Sequence, residues 1–235
     1  MYKVATFSDI HGNYEALDAI LNDIKNNSYD EVIFLGDLIS LGPDSKKCIK
    51  RLSEENVRWI LGNHDLYYLK GTDKFNIEPF KLEHYKWVYK SLDENDKKLI
   101  DNHDLSYTLY KNGKCLKFTH YFIKDVRCDY PFYSIGTIKR MKVNELIRNM
   151  DSDYLFYGHD HTPNKLKLGN KYIIDVGSSG CVKDNKTFYT SIEIDDDIKI
   201  ITKELEFDRD KLVEKLNKMD SPGIDHIKKG FFGIM

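Results

Sequence analysis

The segment Ser8-Asp9-Ile10-His11-Gly12-Asn13 follows directly on an apolar run that is long enough for one buried strand. It is the first of several polar segments that end a predicted strand, and strands and helices alternate around it. In chain order these elements are Lys3–Ser8, Tyr14–Asn26, Glu31–Leu35, a helix marked by Cys48, Ile49 and Leu52, and Val57–Leu61. Such alternation predicts βαβ units and a mostly parallel sheet packed between helices.

The rest of the chain follows a different pattern. From Thr72 to about Asp104, aromatic and charged residues alternate at helical spacing, which predicts a helical insertion with a second short helix beginning near Asp93. The links Gly169-Asn170 and Asp195-Asp196-Asp197 are typical of hairpin turns. The remaining predicted elements are the strands Ser106–Tyr110, Lys114–His120, Tyr154–Gly158, Lys165–Leu168, Lys171–Val176, Phe188–Ile194 and Ile198–Leu205, and the helices Thr137–Met150 and Arg209–Lys218.

The bulk composition is that of an ordinary soluble protein. The 235 residues are 41% hydrophobic and 31% charged, which fits one globular domain. The formal net charge of −2 gives no electrostatic footprint for nucleic acid or an anionic membrane. The N-terminus lacks the features of a signal peptide, and no stretch has the length of a membrane span. These features together predict a cytoplasmic protein.

The four cysteines are Cys48, Cys115, Cys128 and Cys181, and none of them forms a CxxC pair. Their wide spacing argues against a thiolate zinc site and against a disulfide framework. Free thiols in a reducing compartment are therefore the expected state.

Polar residues that can bind metal ions stand at the ends of five predicted strands. In open α/β sheets, sites form outside the carboxyl ends of the strands, so these residues are expected to converge on one crevice. The candidate ligands are Asp9, His11, Asp37, Asn63, His120, His159 and His161. Imidazole, carboxylate and amide ligands without thiolate suit Mn, Fe, Zn, Co or Ni. Seven ligands exceed the need of one ion, which favours two ions and an in-line displacement at phosphorus.

Each of these segments also has an ordinary interpretation. An Asp-x-His pair is usually a turn, Gly36-Asp37 is a common helix N-cap signal, and His159-Asp160-His161 is compatible with a polar loop. Their occurrence together at strand ends, in this order, favours a metal site. The other histidines, His84, His103 and His226, lie in helical or tail context and are expected at the surface.

The combination of Asp9-x-His11, Gly36-Asp37, Gly62-Asn63-His64-Asp65, His120 and Gly158-His159-Asp160-His161 resembles the calcineurin-like metallophosphoesterase superfamily. The resemblance covers roughly residues 1–195, and the stretches Ser8–Asn13 and Leu41-Gly42-Pro43-Asp44 are most similar to its small bacterial and archaeal phosphodiesterase branch. The resemblance implies an α/β fold, a four-layer α/β/β/α sandwich. The predicted organisation is a metallophosphoesterase domain over residues 1–205, with the insertion at about 72–104, and a C-terminal helix and tail over 206–235.

The resemblance also implies roles for the candidate residues. Asp9, His11, Asp37 and His161 would hold one transition-metal ion, and Asn63, His120 and His159, with Asp37 bridging, would hold a second. The ions, Mn, Fe, Zn, Ni or Co, can be divalent or trivalent. The implied reaction is hydrolysis of a phosphodiester or nucleotide-type bond by in-line attack of a metal-activated hydroxide. His64 would be the general acid, and Asp65 is a weak candidate for orienting its ring.

Three departures from the family pattern bear on specificity. Tyr121 stands where glycine usually follows the ligand histidine, so the loop there is expected to be rebuilt and to fill part of the pocket. The stretch 175–180 replaces the more usual Asn-Pro-Gly-Ser. Leu61 and Ser40-Leu41-Gly42 replace the arginine-containing segments of the protein phosphatases, whose arginines would clamp a phosphoryl group.

Several functions remain open at this point. The first is a phosphodiesterase that acts on a small-molecule phosphate ester or nucleotide, and a phosphomonoesterase or protein phosphatase is the alternative within the superfamily. A non-catalytic metal-binding scaffold and a nucleotide-binding regulator are the alternatives without turnover. Arg127, Lys139 and Arg140 are candidates for meeting additional phosphates, although solvated surface charge is the more ordinary role. The apolar tail at 231–235 is a candidate surface for a homo-oligomer.

Overall fold

The computed structural model describes residues 1–75, 77–123, 132–133 and 150–234. Within these residues the strands are β1 Tyr2–Phe7, β2 Glu31–Phe34, β3 Arg58–Trp59, β4 Ser106–Lys111, β5 Lys114–Thr119, β6 Phe122–Ile123, β7 Phe132–Tyr133, β8 Tyr154–Tyr157, β9 Asn164–Leu168, β10 Lys171–Asp175, β11 Lys186–Ile194 and β12 Ile198–Glu206. The helices are α1 Tyr14–Asn26, α2 Ser45–Ser53, α3 Asn63–Lys70, α4 Pro79–Tyr89, α5 Glu94–Asp101, α6 Arg209–Lys218 and α7 Ile224–Ile227. A 3₁₀ turn at Thr72–Lys74 and a π turn at Lys228–Phe232 complete the helical elements.

The described strands form two five-stranded sheets and one two-stranded ribbon. The first sheet has the order β12-β11-β1-β2-β3, and the second has the order β4-β5-β8-β10-β9. In the first, β1, β2 and β3 are parallel, whereas β11 and β12 run antiparallel to their neighbours. The second sheet is likewise parallel only at its centre. The predicted mostly parallel sheet is therefore wrong, because long hairpins fold back onto the edges of the parallel strands.

The two sheets pack face to face around a shared apolar core. Alternate residues of a strand point to opposite faces, so Val4 of β1 and Ile33 of β2 contact Phe118 and Phe156 of the second sheet. The opposite face of the first sheet is covered by α1 and α2. The result is the predicted α/β fold with two sheets and helices. The helix predicted over Thr137–Met150 lies almost entirely outside the described residues, and Arg127, Lys139 and Arg140 lie wholly outside them.

Local sequence explains where α1 begins. The side chain of Asn13 accepts a hydrogen bond from the backbone N–H of Ala16, which caps the helix, and its amide group donates to the carbonyl of Gly180. The buried face of α1 carries Leu17 and Ile20. Asn13 thus joins the start of a helix to a turn on the other side of the site.

Two helices, α4 and α5, lie in the segment 72–104, as the periodicity predicts. Its status as an insertion and the domain boundaries remain predictions. The C-terminal π turn packs on its own chain, where Phe232 is fully buried beside Leu212 and Leu216 of α6. The expected homo-oligomer contact through this tail is not supported, because its central aromatic side chain is already buried within the chain.

Candidate metal centre

Five of the seven predicted ligands lie on loops with unusual backbone geometry. Asp9, His11, Asp37, His159 and His161 all have positive φ, between 48° and 74°. Non-glycine residues rarely adopt this conformation, and it clusters at functional sites. Hydrogen bonds between the loops hold it in place. The N–H of Asp9 donates to the carbonyl of Gly36, and the N–H of His11 donates to the carbonyl of Asp37, each at 2.9 Å.

The first group of side chains is Asp9, His11 and His161. The Nε2 atoms of the two histidines face each other at 3.1 Å. Asp9 Oδ1 lies 3.3 Å from Nε2 of His161 and 3.6 Å from Nε2 of His11. The Nδ1 atom of His11 faces the carbonyl of Ile39 at 3.3 Å, which leaves Nε2 for the site.

The second group is Asn63, His120 and His159. The Oδ1 atom of Asn63 lies 3.1 Å from Nε2 of His120 and 2.8 Å from Nδ1 of His159. The Nδ1 atom of His120 donates to the carbonyl of Leu35 at 2.7 Å. This bond selects the tautomer whose Nε2 is free to bind a cation.

Asp37 lies between the two groups. Its Oδ2 atom is 3.2 Å from Nε2 of His120 and 3.7 Å from Nε2 of His11. Its Oδ1 atom accepts the backbone N–H of His64 at 2.7 Å. One carboxylate therefore reaches both groups of ligands.

The charges of this cluster favour bound cations. Burial alone would raise the pKa of Asp9 and of Asp37, but the neighbouring imidazoles, His120 above all, outweigh it and hold both pKa values well below the usual range. Burial would lower the pKa of His120, yet Asp37 and Asp9 raise it to about 9. Asp9 Oδ1 is buried and accepts no hydrogen bond of good geometry. Each carboxylate accepts one backbone N–H, that of His159 for Asp9 and that of His64 for Asp37, and its other oxygen faces the imidazoles, as a carboxylate that binds a metal ion would.

His64 lies beside the two groups. It is 8% exposed, and its Nδ1 atom has no hydrogen-bond partner among the residues that the structure describes. Its Nε2 atom lies 3.9 Å from Asp37 Oδ2, and its ring contacts those of His11 and Tyr85 edge-on. Burial holds the pKa of this imidazole well below its usual range. With His11 and Asp37, His64 also forms a group whose ligand atoms lie within 4.8 Å of one another.

Asp65 does not orient His64, so that prediction is wrong. Its carboxylate accepts the backbone N–H groups of Asp37 at 2.9 Å, Leu38 at 3.2 Å and Gly62 at 3.0 Å. These hydrogen bonds go to backbone donors rather than to the imidazole. Asp65 therefore fixes the loop that carries Asp37.

A crevice of about 700 Å³ opens over the two groups. Its walls include the rings of Tyr67, Tyr85 and Phe231 and the lysines Lys81 and Lys183. The wall thus combines stacking surfaces with charges of both signs, since Glu78 and Asp160 also line it and Glu78 lies 2.7 Å from Lys81.

Tyr121 is 5% exposed, packs edge-on against His120 and His159, and is not among the described residues that line the crevice. The expectation that the loop after His120 fills part of the pocket stays a prediction, because residues 124–131 lie outside the described residues. The turn at 175–180 also points inward. The N–H of Ser179 donates to the carbonyl of Ser8, and the N–H of Gly180 donates to that of Asp9.

Two site features escaped the sequence interpretation. Cys181 lies with His11 and His161 in a group whose possible ligand atoms are all within 4.8 Å of one another. No spacing motif in the sequence indicates this role for Cys181, because it is a single cysteine far from the others. His84 is fully buried in α4 rather than at the surface. His103 stacks half-buried on Trp59, and His226 is exposed as expected.

Comparison with known proteins agrees with this geometry. The model of the calcineurin-like phosphoesterase family matches residues 2–163. An uncharacterized protein of Methanocaldococcus jannaschii is 30% identical over 93% of each chain. A symmetrical bis(5'-nucleosyl)-tetraphosphatase of Haemophilus ducreyi is 32% identical, over 35% of this chain and 36% of its own.

Solved structures share the fold at low sequence identity. A metallophosphoesterase from Sphaerobacter thermophilus, 18% identical, superimposes with a TM-score of 0.71 over 97% of this chain and 99% of its own. A hypothetical protein from Pyrococcus horikoshii, also 18% identical, gives a TM-score of 0.76 over 99% of each chain. The chain therefore belongs to the calcineurin-like phosphoesterase family, and it is a phosphoesterase. None of its described helices is long and apolar enough to cross a membrane.

Proposed function

We propose that this phosphoesterase is a dimetal phosphodiesterase that hydrolyses a phosphodiester or nucleotide-type phosphate bond in line at phosphorus. The observation that carries the proposal is the position of Asp37, one carboxylate within reach of His11 on one side and of His120 on the other. Asp9, His11 and His161 would complete one ion site, and Asn63, His120 and His159 would complete the other. Two ions held in this way activate water and neutralise phosphoryl charge.

His64 is the group proposed to protonate the departing oxygen. Its ring lies beside the ligands and lines the crevice, where a leaving group would stand. Burial favours its neutral form, so a bound phosphate anion has to restore the proton, as an opposite charge does for any imidazole. The role therefore depends on the substrate as well as on the protein.

The crevice wall supports a nucleotide-type substrate. Tyr67 and Tyr85 stack 6.0 Å apart on one side, and Phe231 lies 5.8 Å from His161 on another. Aromatic rings stack on bases with little sequence preference, and lysines attract further phosphates. The named tetraphosphatase relative acts on a nucleotide, by its name, although the similarity covers about a third of each chain. Leu61 is 5% exposed in the core, so position 61 supplies no phosphoryl-binding arginine of the kind found in protein phosphatases.

A metal-reconstituted activity screen tests the proposal. The protein is loaded separately with Mn²⁺, Co²⁺, Ni²⁺ and Zn²⁺ and assayed for multiple turnovers on phosphomonoesters, phosphodiesters, cyclic nucleotides and dinucleoside polyphosphates. We expect turnover of diesters or polyphosphates to exceed that of monoesters. Faster turnover of phosphomonoesters would refute the diesterase assignment. Tight metal binding without turnover of any substrate would refute the catalytic assignment of these residues.

A further inference from the structure

Cys181 follows directly on the turn that ties β10 to the loop after β1. The hydroxyl of Ser178 accepts the backbone N–H of Cys181 at 2.8 Å and donates to the carbonyl of Asp9, also at 2.8 Å. One hydroxyl therefore sets the position of both residues relative to each other. A Cβ at Gly180 would lie 2.0 Å from the carbonyl oxygen of Ile10, so only glycine lets the two loops approach this closely.

This close approach places the thiol at the first group of ligands. The Sγ atom of Cys181 and the ring nitrogens of His11 and His161 all lie within 4.8 Å of one another. Asp9 Oδ1, which is buried and accepts no hydrogen bond of good geometry, faces the same two imidazoles. Atoms bound to one zinc-like ion at 2.0–2.3 Å are about 3–4 Å apart, so this group, whose atoms lie within 4.8 Å of one another, needs at most a slight contraction to hold one ion.

We propose that the thiolate of Cys181 is a ligand to the ion held by Asp9, His11 and His161. This inference rests on the proposed dimetal function and adds a ligand to one of its two positions. Binding of the ion would release the thiol proton to solvent as the S–metal bond forms.

The two ion positions would then differ in chemistry. Thiolate ligands favour Zn²⁺, Co²⁺ and Fe²⁺ over the harder Mn²⁺ and Mg²⁺. Among the described residues, the group of Asn63, His120 and His159 contains no thiol. We therefore expect the position with Cys181 to select the more thiophilic metal, while the other position accepts a harder ion.

X-ray absorption on the zinc-loaded wild-type protein is the direct test. A zinc–sulfur scattering path at about 2.3 Å is expected in addition to nitrogen and oxygen at about 2.0–2.1 Å. The path should vanish in Cys181→Ser and persist in Cys115→Ser, a matched control whose half-buried thiol lies on β5. Cys181→Ser should also weaken zinc at one position by about tenfold or more, the range in which changes around a metal site fall, with manganese affinity changed much less.

The possible outcomes distinguish failure of this inference from failure of the proposed dimetal function. Two zinc ions bound through nitrogen and oxygen alone, in wild-type protein, overturn the thiolate ligand and leave the dimetal centre intact. The wild-type spectrum decides this even if the serine variant does not fold. Loss of the sulfur path in Cys115→Ser as well would assign the sulfur to another thiol and also overturn the inference. Absence of bound zinc would overturn the thiolate ligand, and absence of every metal used in the activity screen would overturn the dimetal function as well.

Discussion

The backbone N–H of Leu41 donates a hydrogen bond to Nε2 of His84 at 3.1 Å, across 43 positions of the chain. Leu41 has positive φ, and the next residue, Gly42, donates its N–H to the carbonyl of His11 at 2.8 Å. A Cβ at Gly42 would lie 2.4 Å from that oxygen. Helix α4 therefore supports the loop on which the ligand His11 stands. Nδ1 of His84 faces the hydroxyl of Ser221 at 3.1 Å, which ties the same helix to the C-terminal segment.

This arrangement predicts a pH-dependent stability. Burial lowers the pKa of His84 to about 4, against the opposing effect of a hydrogen bond to Pro222. The unfolded chain has a pKa near 6.5 and binds the proton first, so stability is complete above about pH 6.5 and falls as the pH drops towards 4. The largest loss in the free energy of unfolding that one such group can cause is roughly 3 kcal/mol. Urea unfolding of wild type and His84→Gln between pH 7 and pH 4.5 measures it.

The glutamine variant keeps an acceptor for Leu41 and does not titrate. The stability advantage of wild type over His84→Gln should therefore shrink as the pH falls through this range. An advantage that stays constant would show that His84 is not held neutral by burial.

Gly158 precedes His159 and leaves no room for a side chain. A Cβ there would lie 2.0 Å from Oγ of Ser8 and 2.4 Å from Oδ2 of Asp9. Gly158→Ala should therefore displace Asp9, weaken metal binding and cost about 1–3 kcal/mol, as overpacking of a filled site does. Gly230→Ala is the matched control, since a Cβ there meets nothing within 4 Å. Thermal unfolding and metal analysis of both variants check the prediction, and equal effects would contradict it.

Asp37→Asn tests whether one charge serves two ions. Because the Asp37 carboxylate lies between both groups, the variant should bind each metal more weakly. Added metal should therefore raise the melting temperature of the variant less than that of the wild type. Asp195→Asn, an exposed hairpin residue, controls for the change of net charge. Metal content after dialysis is the measurement. Two ions per chain at wild-type affinity would remove Asp37 from the centre.

Much of the fold could be predicted because its signals are local. The bounds of α1 and α6 coincide with the predicted Tyr14–Asn26 and Arg209–Lys218, since an amphipathic face marks each helix and the N-caps Asn13 and Asp208 mark where it begins. The mixed sheet could not be predicted in this way. The pairing of β1 with β11 joins Tyr2 to Ile194, and nothing in either strand specifies so distant a partner.

The same distinction applies to the site. Asp9, His11 and Asp37 stand at strand ends, and the topology of a parallel sheet brings such ends together. Cys181 and His84 reach the site through contacts between distant loops, and neither belongs to a spaced motif. Asp65 is adjacent to His64 in sequence, yet its partners are the backbone groups of Gly62 in its own loop and of Asp37 in the loop after β2.

Phe231 should contribute to recognition of a base. Its ring stands over the crevice beside His161, and stacking is worth about 1–3 kcal/mol per base. Phe231→Ala should therefore lower kcat/KM for a nucleotide p-nitrophenyl ester much more than for methyl p-nitrophenyl phosphate, which has the same leaving group. Phe80→Ala, 42% exposed on α4, is the control. Equal losses on both substrates would mean that Phe231 only supports the fold.

Substitution of His64 tests the chemical step separately from metal binding. Its backbone N–H donates to Asp37, whereas its ring lies against His11 and Tyr85 at the crevice. The ions of the proposed centre neutralise phosphoryl charge, but the departing alkoxide still needs a proton. A histidine in this position is suited to supply it.

Under this assignment, His64→Ala should keep both metals and the wild-type fold, because the ring is not needed to hold an ion. Alkyl phosphodiesters should be hydrolysed about 10²–10⁴-fold more slowly, the usual contribution of a positioned acid. The hydrolysis rate of a nitrophenyl ester should fall much less, since its leaving group departs without protonation. Steady-state rates on both substrates, with metal content measured on the same samples, decide the matter.

Equal slowing with metals retained would assign His64 to stabilising phosphoryl charge. Loss of metal would make His64 a ligand, as its position within 4.8 Å of the ligand atoms of His11 and Asp37 permits, and the acid assignment would fail.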